Sequence, residues 1–85
     1  MEQPIYPLPQ VIRVSLEDKP GALMRVTGIM TAKGINIDSL SLAPDPERPG
    51  LARITLSARV EERYRTRILK EMNRLVNVLR AEEVA

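Results

Sequence analysis

Strand and helix periods alternate along this chain. Ile12, Val14 and Leu16 alternate with Arg13, Ser15 and Glu17, which predicts a first strand over about residues 10–17. The spacing then changes. Leu23, Val26 and Met30, with Ala22 and Ile29 beside them, share one helix face and predict a helix from about Gly21 to Lys33, with Gly34 as its left-handed stop. Ile35 to Ala43 reads as a second strand whose alternation slips between Ile37 and Leu40, as at a bulge or where both faces carry apolar side chains. Leu51 to Val60 alternates without a slip, placing Ala52, Ile54, Leu56, Ala58 and Val60 on one face and Arg53, Thr55, Ser57 and Arg59 on the other. Glu61 to about Leu75 repeats at helical spacing through Tyr64, Ile68, Leu69, Met72, Leu75 and Val76. Val76 to Arg80 or Ala81 completes the pattern as a short last strand.

The order β-α-β-β-α-β is that of the split βαβ, ferredoxin-like arrangement, an α+β fold with a four-stranded antiparallel sheet and both helices on one face. A small domain of this kind joins others through the open sheet face or a sheet edge. Residues 10–81 are expected to form this single domain. Pro4, Pro7 and Pro9 predict an extended arm over residues 1–9, and residues 82–85 a tail. The run from Ala43 to Gly50, with Pro44, Pro46 and Pro49, is dense in turn formers and predicts an exposed, mobile loop.

The turn between the first strand and helix, Glu17 to Leu23, is suited to a small anion. Asp18 is expected to cap the first helical amides, Pro20 fits the first turn, and Gly21 lets a ligand approach the backbone. Free amides and the helix dipole at this end favour a carboxylate or phosphate, and Asp18 could hold an ammonium group. Asp-x-Pro-Gly is also simply a good helix start, and the turn alone does not choose between the two readings.

Composition narrows the chemistry. The 85 residues include no cysteine and no histidine, which removes disulfides, thiolate metal sites, thiol nucleophiles and the usual general base near neutral pH. There is no Phe or Trp, and Tyr6 and Tyr64 are the only aromatics, so base-stacking platforms are missing. The net charge is +2, but the cations of the second helix are interleaved with Glu61, Glu62 and Glu71, and pairs such as Glu61 with Arg65 and Arg67 with Glu71 describe a solvated helix face rather than a nucleic-acid patch. The first ten residues lack a signal-peptide pattern, and no run reaches the ~18 apolar residues of a membrane span, so a cytoplasmic protein is expected. A chain this short buries only about 60–65% of its unfolded surface, and self-association would add core.

Several separated blocks resemble one family. Leu16-Glu17-Asp18-Lys19-Pro20-Gly21-Ala22-Leu23, then Arg25-Val26, then Gly34-Ile35-Asn36-Ile37-Asp38-Ser39-Leu40, resemble the ACT domain, an amino-acid-sensing module of this topology. The resemblance is to the small regulatory subunit of acetolactate synthase (acetohydroxyacid synthase) within that superfamily, with Ala43-Pro44 and Met72-Asn73-Arg74-Leu75-Val76-Asn77-Val78 in register with two further family blocks. It covers about residues 10–81. It implies a non-catalytic regulatory subunit, with no cofactor of its own, that binds itself as a homodimer and binds a catalytic subunit using thiamine diphosphate, Mg and, as an open option, FAD. It further implies feedback by valine or another branched-chain amino acid bound between two protomers. Carried over by position, the effector site comprises Asp18, Lys19, Pro20, Gly21 and Ala22 on the turn of one protomer and Asn36 and Ile37 on the second strand of the other. Backbone N–H groups near Gly21 and Ala22 take the carboxylate in this reading. The family's usual Asn in the turn is Asp18 here, which leaves ligand preference open. Many such subunits also carry a second domain, so this chain resembles the short variety or a fragment of a longer one.

Three alternatives remain beside this reading. One is a free-standing amino-acid-sensing ACT domain serving another partner. An acylphosphatase-like hydrolase of the same topology would need an Arg where the turn has Asp18 and Lys19, and an acid there repels a phosphate. An RNA-binding module would need aromatics on the central strands. Asn73 and Asn77 either contact a partner or shape the end of the second helix, and Arg53 and Arg59 either dock a partner or keep one strand face soluble.

Overall fold

The computed structural model describes residues 9–84. Six elements follow in the expected order: β1 (Pro9–Glu17), α1 (Ala22–Ala32), β2 (Ile37–Pro44), β3 (Leu51–Arg59), α2 (Glu62–Asn73) and β4 (Val78–Glu83). The strands form one four-stranded antiparallel sheet in the order β2-β3-β1-β4, the ferredoxin-like arrangement. α1 therefore connects β1 to β2 across β3, and α2 connects β3 to β4 across β1.

Period-2 alternation makes the sheet one-sided. Ile12, Val14 and Leu16 of β1 pair with Leu56, Ile54 and Ala52 of β3, so all six point to the same face. There they meet Ala22, Val26 and Met30 of α1 and Ile68 and Met72 of α2 in one buried cluster, with Leu23, Ile29, Tyr64, Leu69 and Leu75 packed at its margin. Gln10 is the one fully buried polar side chain among the described residues; its Nε2 donates to Glu83 Oε1 at 3.3 Å.

The slip between Ile37 and Leu40 is a bulge. Ile37 pairs with Ala58 and Ser39 with Ser57, leaving Asp38 as the extra residue. Without that residue, Leu40 and Leu42 would point to the open face; with it, they oppose Leu56 and Ile54 on the helix side. On the open face Ser39 and Ser57 share a 2.5 Å hydrogen bond. β4 carries a second bulge at Leu79, since Ser15 pairs with Arg80 and Leu16 with Val78.

Two expectations are corrected. The last strand begins at Val78 rather than Val76 and continues through Glu82 and Glu83, which were expected to belong to a tail; Val84 N–H then donates to Val11 C=O at 2.8 Å. Edge strands tolerate charge, so Arg80, Glu82 and Glu83 look like a tail in the sequence while pairing with β1. Val76 does not belong to the α2 core stripe: the helix ends at Asn73, and Val76 sits in the following turn with 92% of its surface exposed. The expected arm over residues 1–9 lies, Pro9 apart, outside the described residues, and Pro9 opens β1.

Asn73 clasps the helix end to the edge strand. Its Nδ2 donates to Ala81 C=O at 3.0 Å and to Leu69 C=O at 2.9 Å, and Ala81 N–H donates to its Oδ1 at 2.9 Å. The side-chain amide thus takes the place of a neighbouring strand's peptide at the outer edge of β4.

The packing separates two apolar residues that the sequence patterns both place in the core, Ile54 by the strand alternation and Val76 by the helical stripe. Ile54→Ala should lower the unfolding free energy by about 2–5 kcal/mol in a denaturant titration, whereas Val76→Ala should change it by less than about 0.5 kcal/mol.

Candidate functional site

The β1–α1 turn is built by backbone hydrogen bonds from two other segments. Glu17 N–H donates to Asn77 C=O at 2.8 Å, and Asp18 N–H donates to Gly50 C=O at 3.2 Å. The turn is thereby fixed to the loop before β3 on one side and to the turn before β4 on the other. Asp18, Lys19, Pro20 and Gly21 are exposed, while Ala22 is buried in the core.

The helix start differs from the expectation. Gly21 is the N-cap, at φ 81°, and no side chain caps the helix, so Asp18 does not hold the first amides. Pro20 precedes the helix instead of occupying its first turn. The left-handed backbone at the N-cap suits glycine, which carries no Cβ. Ala22 N–H is already used by Lys19 C=O at 3.1 Å, so it is not a free donor for a carboxylate. Leu23 and Met24 N–H, by contrast, have no backbone acceptor among the described residues, and these are the open donors of the helix start.

Asn36 and Ile37 lie far from this turn within one chain. Ile37 pairs with Ala58 near the end of β3, whereas Glu17 pairs with Leu51 at its beginning. The two groups of nominated residues therefore sit at opposite ends of the sheet. Asn36 is exposed and Ile37 is half-buried.

Two hollows adjoin the described residues of the sheet. One, of about 700 Å³, lies beside the turn and is lined by Lys19, Pro20, Arg25, Arg74, Leu75, Val76 and Asn77. The sequence gives little sign of it, because residues 19–25 and 74–77 meet only after β1 and β4 pair. The other, of about 540 Å³, lies on the open sheet face and carries charges of both signs. There Asp45 Oδ2 faces Arg53 Nη2 at 3.8 Å and Arg80 pairs with Glu82 at 2.9 Å, so its charges largely satisfy one another. Asp45 also organises the exposed loop that follows β2: its Oδ1 accepts from Glu47 N–H at 2.8 Å and Arg48 N–H at 3.1 Å. Those amides, together with the Arg53 and Arg48 charges, outweigh partial desolvation and hold its carboxyl below the usual value. No three His, Cys, Asp or Glu side chains come together as a metal ligand set among the described residues.

Comparison with known proteins gives this geometry its family. Residues 12–80 match the model of the AHAS small subunit-like ACT domain. The chain belongs to that family. It is 39% identical over 75 residues to the acetolactate synthase isozyme 3 small subunit of Escherichia coli, covering 88% of this chain and 45% of that protein. The probable acetolactate synthase small subunit of Methanothermobacter thermautotrophicus is 36% identical over 74 residues, covering 87% of this chain and 44% of that one. In fold, the chain superposes on the crystal structure of the Thermotoga maritima acetolactate synthase small subunit with a TM-score of 0.80 at 23% identity, covering 92% of this chain and 48% of that structure. The chain thus spans about half the length of the relatives it matches.

Two outcomes test the local account of this ACT domain. Gly21→Ala should destabilise by about 1 kcal/mol, the left-handed backbone term alone, because a Cβ there meets nothing within 4 Å. The stabilising effect of Asp45 should depend on acid. Its native pKa is depressed, so the difference in stability between wild type and Asp45→Ala should be full above the unfolded value of 3.8 and disappear as the pH falls through the lower native value.

Proposed function

We propose that this ACT domain is, or is part of, a non-catalytic regulatory subunit of acetolactate synthase that self-associates through β2 and binds a branched-chain amino acid such as valine between two copies. The observation that carries the proposal is the family match over residues 12–80. The geometry supports it through the two sheet edges. Asn73 occupies the outer edge of β4, whereas β2 is an eight-residue edge strand with Leu40 at 38% and Leu42 at 48% exposure. Unpaired backbone beside exposed leucines favours strand addition, and a second copy would cover both.

Two-fold antiparallel pairing of β2 with its copy also reunites the separated site residues. The partner β2 runs the other way, so its Asn36 end comes alongside the Pro44 end of this chain. That end faces the start of β3, where Asp18 is fixed to Gly50. β1 and the copied β2 are then three strand spacings apart, about 14 Å, a gap a small amino acid and the intervening side chains can bridge. In this arrangement Leu23 and Met24 N–H, with Gly21 allowing close approach, receive the carboxylate. Asp18 or Asn36 of the second copy takes the ammonium group, Lys19, Pro20 and Ala22 shape the turn side, and Ile37 closes the apolar side.

The catalytic subunit, with its thiamine diphosphate chemistry, is the expected partner. Finding that partner encoded beside this chain would favour this reading over that of a free-standing sensor. Calorimetric titration with valine, leucine and isoleucine, alongside mass in solution, tests the effector and the dimer. The expected result is a species of twice 9.6 kDa that binds valine saturably, with binding weakened at least tenfold by Asn36→Ala and by Asp18→Ala. A monomer at tens of micromolar contradicts the dimer, and no heat with any of the three removes the feedback role.

A further inference from the structure

The hollow beside the turn lies on the β4 side of the molecule, away from β2. Lys19 and Arg25 approach it from the β1–α1 turn and helix, Arg74 from the end of α2, and no carboxylate lines it. Of the nearest acids in sequence, Asp18 is exposed on the turn and does not line the hollow. Glu17 faces Lys19 at 3.7 Å, and Glu71 is held by Lys33 at 2.5 Å and Arg67 at 3.9 Å. The Lys33 bond, with further contributions from Arg67 and Arg74, keeps the Glu71 carboxyl below its usual value, so it stays charged and pointed toward α1. Arg25 has no ion pair among the described residues.

Between the cations lies apolar surface that no other described residue covers. Val76 is 92% exposed, and Pro20 and Leu75 line the same hollow. The chemistry argues against a free amino acid, since no acid is present to take an ammonium group. The shallow form and solvent-exposed cations argue against a small anion, which would need converging buried donors. An acidic protein segment with an aliphatic side chain meets every feature: its carboxylates face Arg25, Arg74 and Lys19, and its apolar side chain covers Val76.

We infer that the surface formed by Lys19, Arg25, Arg74, Val76 and Asn77 docks an acidic segment of the partner protein. This rests on the proposed function, from which the partner is the acetolactate synthase catalytic subunit, and it assigns that contact to the β4 side of the turn, where Lys19 and Pro20 border both the hollow and the proposed effector site. The backbone at position 77 also has a structural role. Its carbonyl fixes Glu17, so contact at residues 74–77 bears directly on the turn.

The test is binding of this chain to the purified acetolactate synthase catalytic subunit of the same organism, by interferometry at low and high salt. The expected result is binding that weakens with salt and falls at least tenfold at low salt in the Arg25→Glu, Arg74→Glu double variant. Val76→Glu should produce a comparable loss. Both variants alter exposed side chains and should retain the wild-type circular dichroism and mass. Arg63→Glu, at the opposite end of α2, should bind within twofold of wild type. Wild type and double variant binding alike would overturn this surface while leaving the partner assignment intact. No binding by the wild type would overturn both.

Discussion

Asn73 closes one edge of the sheet, and the free edge on the other side gives the molecule its direction. The side-chain amide of Asn73 donates to and accepts from the backbone of Ala81, so β4 cannot extend the sheet at that point. β2 has no such cover among the described residues. It is a bulged strand whose extra residue, Asp38, keeps Leu40 and Leu42 on the helix side, where α1 leaves them partly exposed. Sheet extension is therefore favoured on one side only, so self-association through a sheet edge would stop at a pair and avoid an open array.

The β1–α1 turn lies between these two edges and is joined to both halves of the sheet. One amide bonds to the loop before β3 and the next earlier amide to the turn before β4. Such a junction needs a residue that can adopt left-handed backbone, which Gly21 supplies, and it leaves two amides of α1 open. The turn carries two chemistries. It has open amides and an exposed acid at the helix start, and the hollow beside it offers cations and an exposed valine. A ligand at the amides and a protein at the hollow would both act on the same short backbone segment.

The strands and helices that face the core were legible in the sequence because one period governs each. β1 and β3 keep strict alternation, α1 keeps its 3–4 spacing, and the slip at Ile37 marked the bulge. The miscast pieces sit where local pattern and tertiary role part. Val76 continues an apolar stripe by sequence but follows the helix end, and Glu82 and Glu83 read as tail because an edge strand may carry charge. Asp18 looks like a cap, yet Gly21 is the N-cap and no side chain caps the helix. The nominated effector residues could be named from family blocks, but their separation to opposite ends of the sheet follows only from strand order. The cationic hollow was hidden for the same reason, since its two halves are about fifty residues apart in the chain.

The central claim is that β2 is the edge at which two copies meet. Amide hydrogen exchange along β2, followed across protein concentration, tests it most directly. The account predicts that the β2 amides facing away from β3 become protected as concentration rises, while the outward amide of Ala81, already bonded to Asn73, does not change. Outward β2 amides that exchange freely at every concentration would contradict it.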